Sequence, residues 1–367
     1  MLLKQVSLKN FRNVKAAEIE LDPGANLVFG ENAQGKTTLL EALYLLSAGK
    51  SFRTRHAREM IAYDEEEAAA EARFERKNDP NARLRVHLSR QENRKFFRNG
   101  VPASKLSEVI GHLSCVLFVP EHLSMVKEGP AVRRSFLDAA ISALDPRYPS
   151  YLNDYKKLYE IRCNLIRQVK EDPKKRELFS LYTGKTAFLG AKITEKRREY
   201  VKNLTVHSAE QYRLLSDERE ALSVSYLSDL PPEISGDELA AYYAERLEKD
   251  LERDIRCGFP VHGVHRDDLE FLLDGHAAKN FASQGQQRSI VLACKLSEGE
   301  IAEEICGETP VFLFDDVLSE LDKKRRDYVL SELDGKQTVL TFCDPVRKKQ
   351  LAGARRITVK GGRFTCI

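Results

Sequence analysis

Apolar and polar positions alternate with a period of two in short runs over the first third of the chain. Residues 2–8, 17–21, 27–29, 68–74, 84–88 and 95–98 therefore read as strands. Asn99-Gly100, directly after the last of these, is a two-residue hairpin signal, because both residue types tolerate the positive φ of such a turn. Residues 39–46 predict an amphipathic helix. Over 130–249 apolar residues recur at threes and fours (Leu152, Tyr155, Leu158, Tyr159, Leu165), with breaks at Pro146, Pro149, Pro173 and Pro231-Pro232. Beyond this helical segment, Ile290, Val291, Leu292, Ala293 and Leu296 predict a further helix. Val311-Phe312-Leu313-Phe314 is a continuous apolar run, as in a strand buried on both faces. The pattern predicts an α/β chain with a first strand-rich part over 1–128, a helical insertion over 129–255 and a closing part over 256–367. No heptad repeat is long enough for an extended coiled coil.

Chemistry enters at the joints of this pattern. Gly30-Glu31-Asn32-Ala33-Gln34-Gly35-Lys36-Thr37 is a complete G-x-x-x-x-G-K-[ST] phosphate loop, and it lies between a predicted strand and a predicted helix, as the motif requires. Gly30 and Gly35 let backbone N–H groups turn inward around a polyphosphate. Lys36 reaches the β- and γ-phosphates, the Thr37 hydroxyl ligates Mg²⁺, and Thr38 completes the contact set. At the far end of the apolar run, Asp315-Asp316 has the Walker B form. Asp315 is expected to hold Mg²⁺ and Asp316 to polarise the attacking water, with Lys36 as the third catalytic group. ATP and Mg²⁺ are thus the expected cofactors.

Ala282-Ser283-Gln284-Gly285-Gln286-Gln287-Arg288 resembles the signature motif of ABC-type ATPases, and Ser319-Glu320-Leu321-Asp322 resembles their D-loop. The resemblance implies an ABC-type ATPase head, a P-loop NTPase fold, in which Ser283, Gly285, Gln286 and Arg288 contact a nucleotide held by another subunit. Leu8-Lys9-Asn10-Phe11-Arg12-Asn13 opens the chain in the manner of the chromosome-maintenance branch. Lys50-Ser51-Phe52-Arg53-Thr54, Phe118-Val119-Pro120-Glu121-His122-Leu123, Arg133-Arg134-Ser135-Phe136-Leu137-Asp138 and His265-Arg266-Asp267-Asp268-Leu269 then narrow it. Together they resemble the RecF family of bacterial recombination-mediator ATPases, from about residue 2 to about residue 345.

That resemblance implies an ATP-dependent homodimer on gapped DNA or single-strand/double-strand junctions, acting in DNA repair. With RecO and RecR it would help load recombinase on single strands coated by binding protein. It also implies a weak, DNA-stimulated ATPase, and it inclines the basic group Arg53, Arg55 and Arg58 toward double-stranded DNA. Two departures from general ABC patterns point to slow turnover: Asp316 where a Glu is usual, and no switch histidine over 338–344; nor is there a clear Q-loop glutamine, for which Glu121 or His122 would substitute. The rival readings are a structural DNA clamp that binds ATP with negligible hydrolysis, and a transporter-type or translation-type ABC ATPase. The single phosphate loop argues against tandem cassettes.

Composition changes little. The 367 residues suffice for two lobes, and 42% hydrophobic with 31% charged content is ordinary for a globular chain. No apolar run approaches a membrane span, and Lys4, Lys9 and Arg12 interrupt the N-terminus, so a cytoplasmic protein without a membrane partner is expected. Seven cysteines without a C-x-x-C pair argue for reduced thiols and against zinc. His262 and His265 with Asp267 and Asp268 suggest a metal cluster only weakly, since the stretch matches a family motif that is not one. Charge is segregated: residues 156–202 carry 14 Lys and Arg against 6 Asp and Glu, whereas 217–254 carry 4 against 12. Tyr151, Tyr155, Tyr159 and Arg162 at helical spacing offer either a phosphate-contacting face or an inward-packed one.

Overall fold

The computed structural model describes residues 1–169, 171–343 and 353–367. The chain opens with β1 (Leu2–Phe11), β2 (Val14–Glu20), β3 (Ala25–Phe29), α1 (Lys36–Ala48), β4 (Glu67–Arg76), β5 (Asp79–Ser89), β6 (Lys95–Arg98), β7 (Val101–Pro102) and β8 (Cys115–Phe118). There follow α2 (Pro130–Leu144), α3 (Tyr148–Val169), α4 (Leu178–Leu215), β9 (Leu222–Leu227), α5 (Gly236–Lys249), α6 (Leu251–Cys257), β10 (Asp268–Leu273), β11 (His276–Ala277) and α7 (Ala278–Phe281). It closes with α8 (Gln284–Cys306), β12 (Val311–Asp315), α9 (Lys323–Glu332), β13 (Thr338–Phe342), β14 (Arg355–Lys360) and β15 (Arg363–Cys366). Two compact units result, one of Met1–Ser124, His207–Glu220 and Ser283–Ile367, the other of Met125–Val206 and Ala221–Ala282.

In the first unit, among the described residues, an antiparallel sheet runs β2-β1-β4-β5-β6-β7 and a second sheet runs β15-β14-β3-β13-β12-β8. The second is parallel except for its edge strand β15. Helix α1 buries Leu39, Leu40, Leu43, Leu45 and Leu46 together with Thr38, Glu41 and Ser47. One core joins its leucines to Val6, Val86, Leu117 and Leu313 from both sheets. The expected amphipathic pattern over 39–46 is therefore corrected to a helix buried on every side, which is what an all-round apolar sequence demands. Val311, Phe312, Leu313 and Phe314 are all buried in β12, paired on both edges by parallel neighbours, as the uninterrupted apolar run requires. The turn between β6 and β7 has Asn99 at φ 50 and Gly100 at φ 83, the two left-handed positions read from the sequence.

The second unit contains more than helices. Strand β9 lies within the stretch expected to be mostly helical, and it pairs antiparallel with β10, which pairs with β11, to form a three-stranded sheet. The boundary expected near residue 255 also shifts, because 256–282 belong to this unit while His207–Glu220 belong to the first. The pairing of β9 with β10 draws 256–282 into this unit, whereas His207 and Gln211, near the end of α4, contact Glu300 of α8 in the first. Pro149 does not break a helix but stands in the first turn of α3, where its missing N–H costs nothing.

Helix α3 packs Tyr155 and Arg162 inward. The Tyr155 hydroxyl lies 2.9 Å from that of Tyr243. Arg162 is 1% exposed and donates to Asp254 Oδ2 and the Leu247 carbonyl, both at 3.4 Å. Neither is available to a DNA phosphate. Nearby, Asp268 takes a bidentate pair from Arg133 at 2.7 and 2.8 Å, and Asp267 accepts from Arg197 at 2.8 Å. His262 contacts Asp229 at 2.8 Å and Asp250 at 3.1 Å. The His-Asp stretch thus supplies counter-ions for buried arginines, since a buried guanidinium persists only when paired.

Candidate nucleotide site

Four neighbouring parallel strands, β3, β13, β12 and β8, end along one edge of the sheet, and in such sheets ligands sit beyond the C-terminal strand ends. A cleft of about 1010 Å³ opens there. It is lined by residues 31–38 after β3, by Pro120 and Glu121 after β8, by Asp315 and Asp316 at the end of β12, and by Arg12, Asn13, Arg53 and Arg58. The expected phosphate-loop residues and both Walker B carboxylates are therefore brought together.

The loop's backbone explains its glycines. Gly35 has φ 121, a conformation that side chains resist, and a Cβ on Gly30 would stand 2.5 Å from the Val359 carbonyl oxygen. The loop is stapled twice. Asn13 Nδ2 donates to the Ala33 carbonyl at 2.9 Å while its Oδ1 accepts from Thr38 Oγ1 at 2.9 Å. On the other side Gln34 Oε1 and its carbonyl accept from the N–H groups of Gly361 and Gly362. Helix α1 starts at Gly35 with no side-chain cap among the described residues and no acid in its first turn. Its leading N–H groups and dipole therefore suit an anion. The Lys36 ammonium, 6% exposed, donates to the carbonyls of Gly30 and Glu31 at the loop's mouth. These features fit a polyphosphate.

Thr37 Oγ1 donates to Asp315 Oδ1 at 3.0 Å, and Thr341 Oγ1 donates to the same oxygen at 3.0 Å. Burial raises the Asp315 carboxyl above its usual range, the two hydroxyl bonds lower it, and Asp316 adds a raising contribution. A half-buried carboxylate beside a hydroxyl is a hard oxygen donor set that fits Mg²⁺. Asp316 sits at φ 55 in the left-handed region, and its N–H donates to Thr341 Oγ1 at 2.9 Å. Such strain at a non-glycine residue persists only where surrounding contacts hold it. Its side chain takes different partners from its neighbour's: Ser319 Oγ at 2.9 Å and Cys343 Sγ at 3.0 Å. Cys343 also lies 3.0 Å from Asn32 Oδ1 and 3.4 Å from Lys36 Nζ, with burial and Asp316 pushing its thiol up. The sequence reading missed both Thr341 and Cys343. Their one signal was position, at the end of a buried parallel strand.

Arg12 and Arg53 were expected as a family motif residue and a DNA contact, yet both turn to the same acid. Glu41 is fully buried and accepts from Arg12 Nε at 3.0 Å and Nη2 at 2.7 Å, from Ser51 Oγ at 2.6 Å and from Arg53 Nη1 at 3.1 Å. A lone Glu in an apolar helix was the available signal, since a buried acid needs partners. Arg53 and Arg58 line the cleft, and Arg58 also borders a neighbouring groove. Arg55 lies instead along a separate groove with His56, Arg58, Arg94 and Lys95. Of the two Q-loop substitutes, Glu121 lines the cleft and His122 does not. Among the described residues the His122 Nδ1 is buried without a partner, and burial with Lys295 pushes the ring down to about 3.

The signature segment stands elsewhere on this unit. Ser283 caps α8 by accepting from the Gln286 N–H at 3.2 Å, and Gln286 Oε1 accepts from the Ser283 N–H at 2.6 Å, a capping box. Gln286 Nε2 donates to Glu220, and Arg288 Nη1 donates to the Glu320 carbonyl at 2.6 Å. These two side chains, expected on nucleotide, are engaged with the cap and with the D-loop-like segment. Ser283 is exposed, and none of Ser283, Gly285, Gln286 and Arg288 lines the cleft.

A family model described as the RecF/RecN/SMC N terminal domain matches residues 2–359. The chain is 36% identical over 349 residues to the DNA replication and repair protein RecF of Lactobacillus delbrueckii subsp. bulgaricus, covering 94% of this chain and 91% of that one. With its namesake from Bacillus cereus the identity is 35%, covering 100% and 99%. Among solved structures, "the recombination mediator protein RecF-ATPrS in RecFOR pathway" superposes with a TM-score of 0.93 at 34% identity, covering 100% of this chain and 98% of that chain.

Proposed function

The chain belongs to the RecF family of DNA replication and repair proteins, and from that premise we propose that it is an ATP-hydrolysing DNA clamp closed by dimerisation. Each composite site would combine the phosphate loop and Walker B acids of one protomer with Ser283 and Gly285 of another copy. The observation that carries this is the separation of Ser283 from the cleft that gathers Lys36, Thr37, Asp315 and Asp316. A cleft holding only half of its γ-phosphate donors is completed by a second copy, in which the exposed start of α8 offers a hydroxyl and free N–H groups.

In this reading Thr37 and Asp315 would hold Mg²⁺, which would supply positive charge to the phosphates. Lys36 neutralises their negative charge from the loop side. Asp316 orients the attacking water, and Arg53 and Arg58 add positive charge along the cleft wall. DNA contact falls to the groove of Arg55, His56, Arg58, Arg94 and Lys95, whose cations suit a phosphate backbone. RecO and RecR are the partners, gapped or junction DNA the substrate, and recombinase loading the outcome. Light scattering with ATP and Mg²⁺, followed by phosphate release with and without gapped DNA, tests the reading. ATP-dependent dimers with slow, DNA-stimulated release support it; a monomer that hydrolyses ATP at the same rate without DNA overturns it.

A further inference from the structure

We propose that Cys343 is a positioning residue for hydrolysis, its thiol clamping the Asp316 carboxylate at the phosphate end of the cleft; this rests on the ATPase reading above. Strand β13 ends at Phe342, so Cys343 is the first residue beyond it, between the loop that follows β3 and the acidic end of β12. Its Sγ lies 3.0 Å from Asp316 Oδ2 and 3.4 Å from Lys36 Nζ. A thiol has one proton to give. The charged carboxylate is a stronger acceptor than the Asn32 amide oxygen at the same 3.0 Å, so the proton points to Asp316.

Ser319 Oγ lies 2.9 Å from the other carboxylate oxygen, Oδ1, and also reaches the Asp316 carbonyl oxygen, and the Asp316 N–H donates to Thr341 Oγ1 at 2.9 Å. Asp316, in a left-handed backbone conformation, is thereby held from three sides. Of these three contacts, only the thiol also touches the phosphate-binding ammonium. Cys343 therefore couples the group that orients water to the group that binds phosphate, and positioning of that kind governs rate more than affinity.

The test uses the full chain with Cys343→Ala and Cys343→Ser. Single-turnover hydrolysis is expected to fall about 10- to 100-fold in the Ala variant, the scale of a misplaced catalytic group. KM should hold within about twofold in the same variant, the signature of an interaction used in the transition state. The Ser variant should recover most of the rate, because its hydroxyl donates to the same carboxylate. Equal losses in both variants, a change in KM alone, or parental rates in the Ala variant overturn the proposal while leaving the ATPase reading intact. A parent that binds ATP without hydrolysing it overturns both. In a second measurement MgATP should slow iodoacetamide labelling of Cys343 while the exposed Cys257 and Cys366 react as before. Unchanged labelling of Cys343 at saturating nucleotide also sinks the idea.

Discussion

Thr37 Oγ1 donates to Asp315 Oδ1 at 3.0 Å although 278 residues separate them in the chain. Thr37 stands at the start of α1, after the loop that follows β3, and Asp315 ends β12; strand β13 lies between β3 and β12, and its Thr341 hydroxyl reaches the same Asp315 oxygen. One hydroxyl and one carboxylate from distant sequence thus form an edge of hard oxygen donors. Asp315→Asn removes the charge at that edge and is expected to weaken Mg²⁺-dependent ATP affinity by at least about tenfold. Asp316→Asn should bind normally and accumulate the ATP state, since it alters only the group facing Ser319 and Cys343. Equilibrium binding with and without Mg²⁺, beside single-turnover hydrolysis, separates the two; exchanged phenotypes mean exchanged roles.

Lys36→Ala takes away the ammonium at the loop's mouth and should abolish tight ATP binding. Lys36→Arg should bind but hydrolyse poorly, because a planar guanidinium does not reproduce a point charge in that cradle. Gly30→Ala gives an independent check on the loop, since its Cβ would meet the Val359 carbonyl at 2.5 Å and push the backbone outward. Normal nucleotide affinity in Lys36→Ala, read by fluorescent-nucleotide titration, contradicts the loop's role.

Ser283→Arg is expected to leave ATP binding to each protomer nearly intact, because Ser283 does not line the cleft. It should prevent ATP-dependent dimers, and hydrolysis should fall with them. DNA affinity should then lose its dependence on ATP. Sedimentation with ATP and Mg²⁺ reads the result, and a variant that still dimerises rules out the composite site.

Glu41 is fully buried and held by Arg12, Ser51 and Arg53. Arg12→Leu strips two hydrogen bonds from a buried carboxylate and should destabilise the fold by about 1–3 kcal/mol. Arg53→Leu removes a contact from a side chain that is 42% exposed and should cost under about 1 kcal/mol. Urea unfolding of the two variants gives the comparison, and equal costs would mean the buried network is not centred on Arg12.

Acid should loosen the protein through its buried histidines. His122 is pushed from its ordinary 6.5 down to about 3, and His265 to about 4, both chiefly by burial. Below 6.5 the unfolded chain takes up protons that the folded one refuses, so stability present above pH 6.5 is lost as pH falls toward these lower values. Each histidine adds a slope of up to about 1.4 kcal/mol per pH unit in that window. His122→Leu should flatten the decline between pH 6.5 and 5 in urea melts; an unchanged slope would show that His122 takes no part.

Sequence alone carried the local chemistry of this chain. The phosphate loop needs glycine where the backbone turns left-handed or approaches another chain segment, and Gly35 and Gly30 occupy those two positions. Val311 to Phe314 had to be buried on both faces because nothing polar interrupts them, and Asn99-Gly100 had to turn. What local sequence could not carry is which distant residues meet. Glu41 gives no sign of pairing with Arg12 and Arg53, and β9 gives only a weak sign of joining β10, because sheet pairing and buried ion pairs are chosen by the whole core. Thr341 and Cys343 matter only because β13 lies between β3 and β12. That strand order, and the strained Asp316 it holds, were decided by tertiary packing, where the free energy of burying one continuous core outweighs the preference of any single residue.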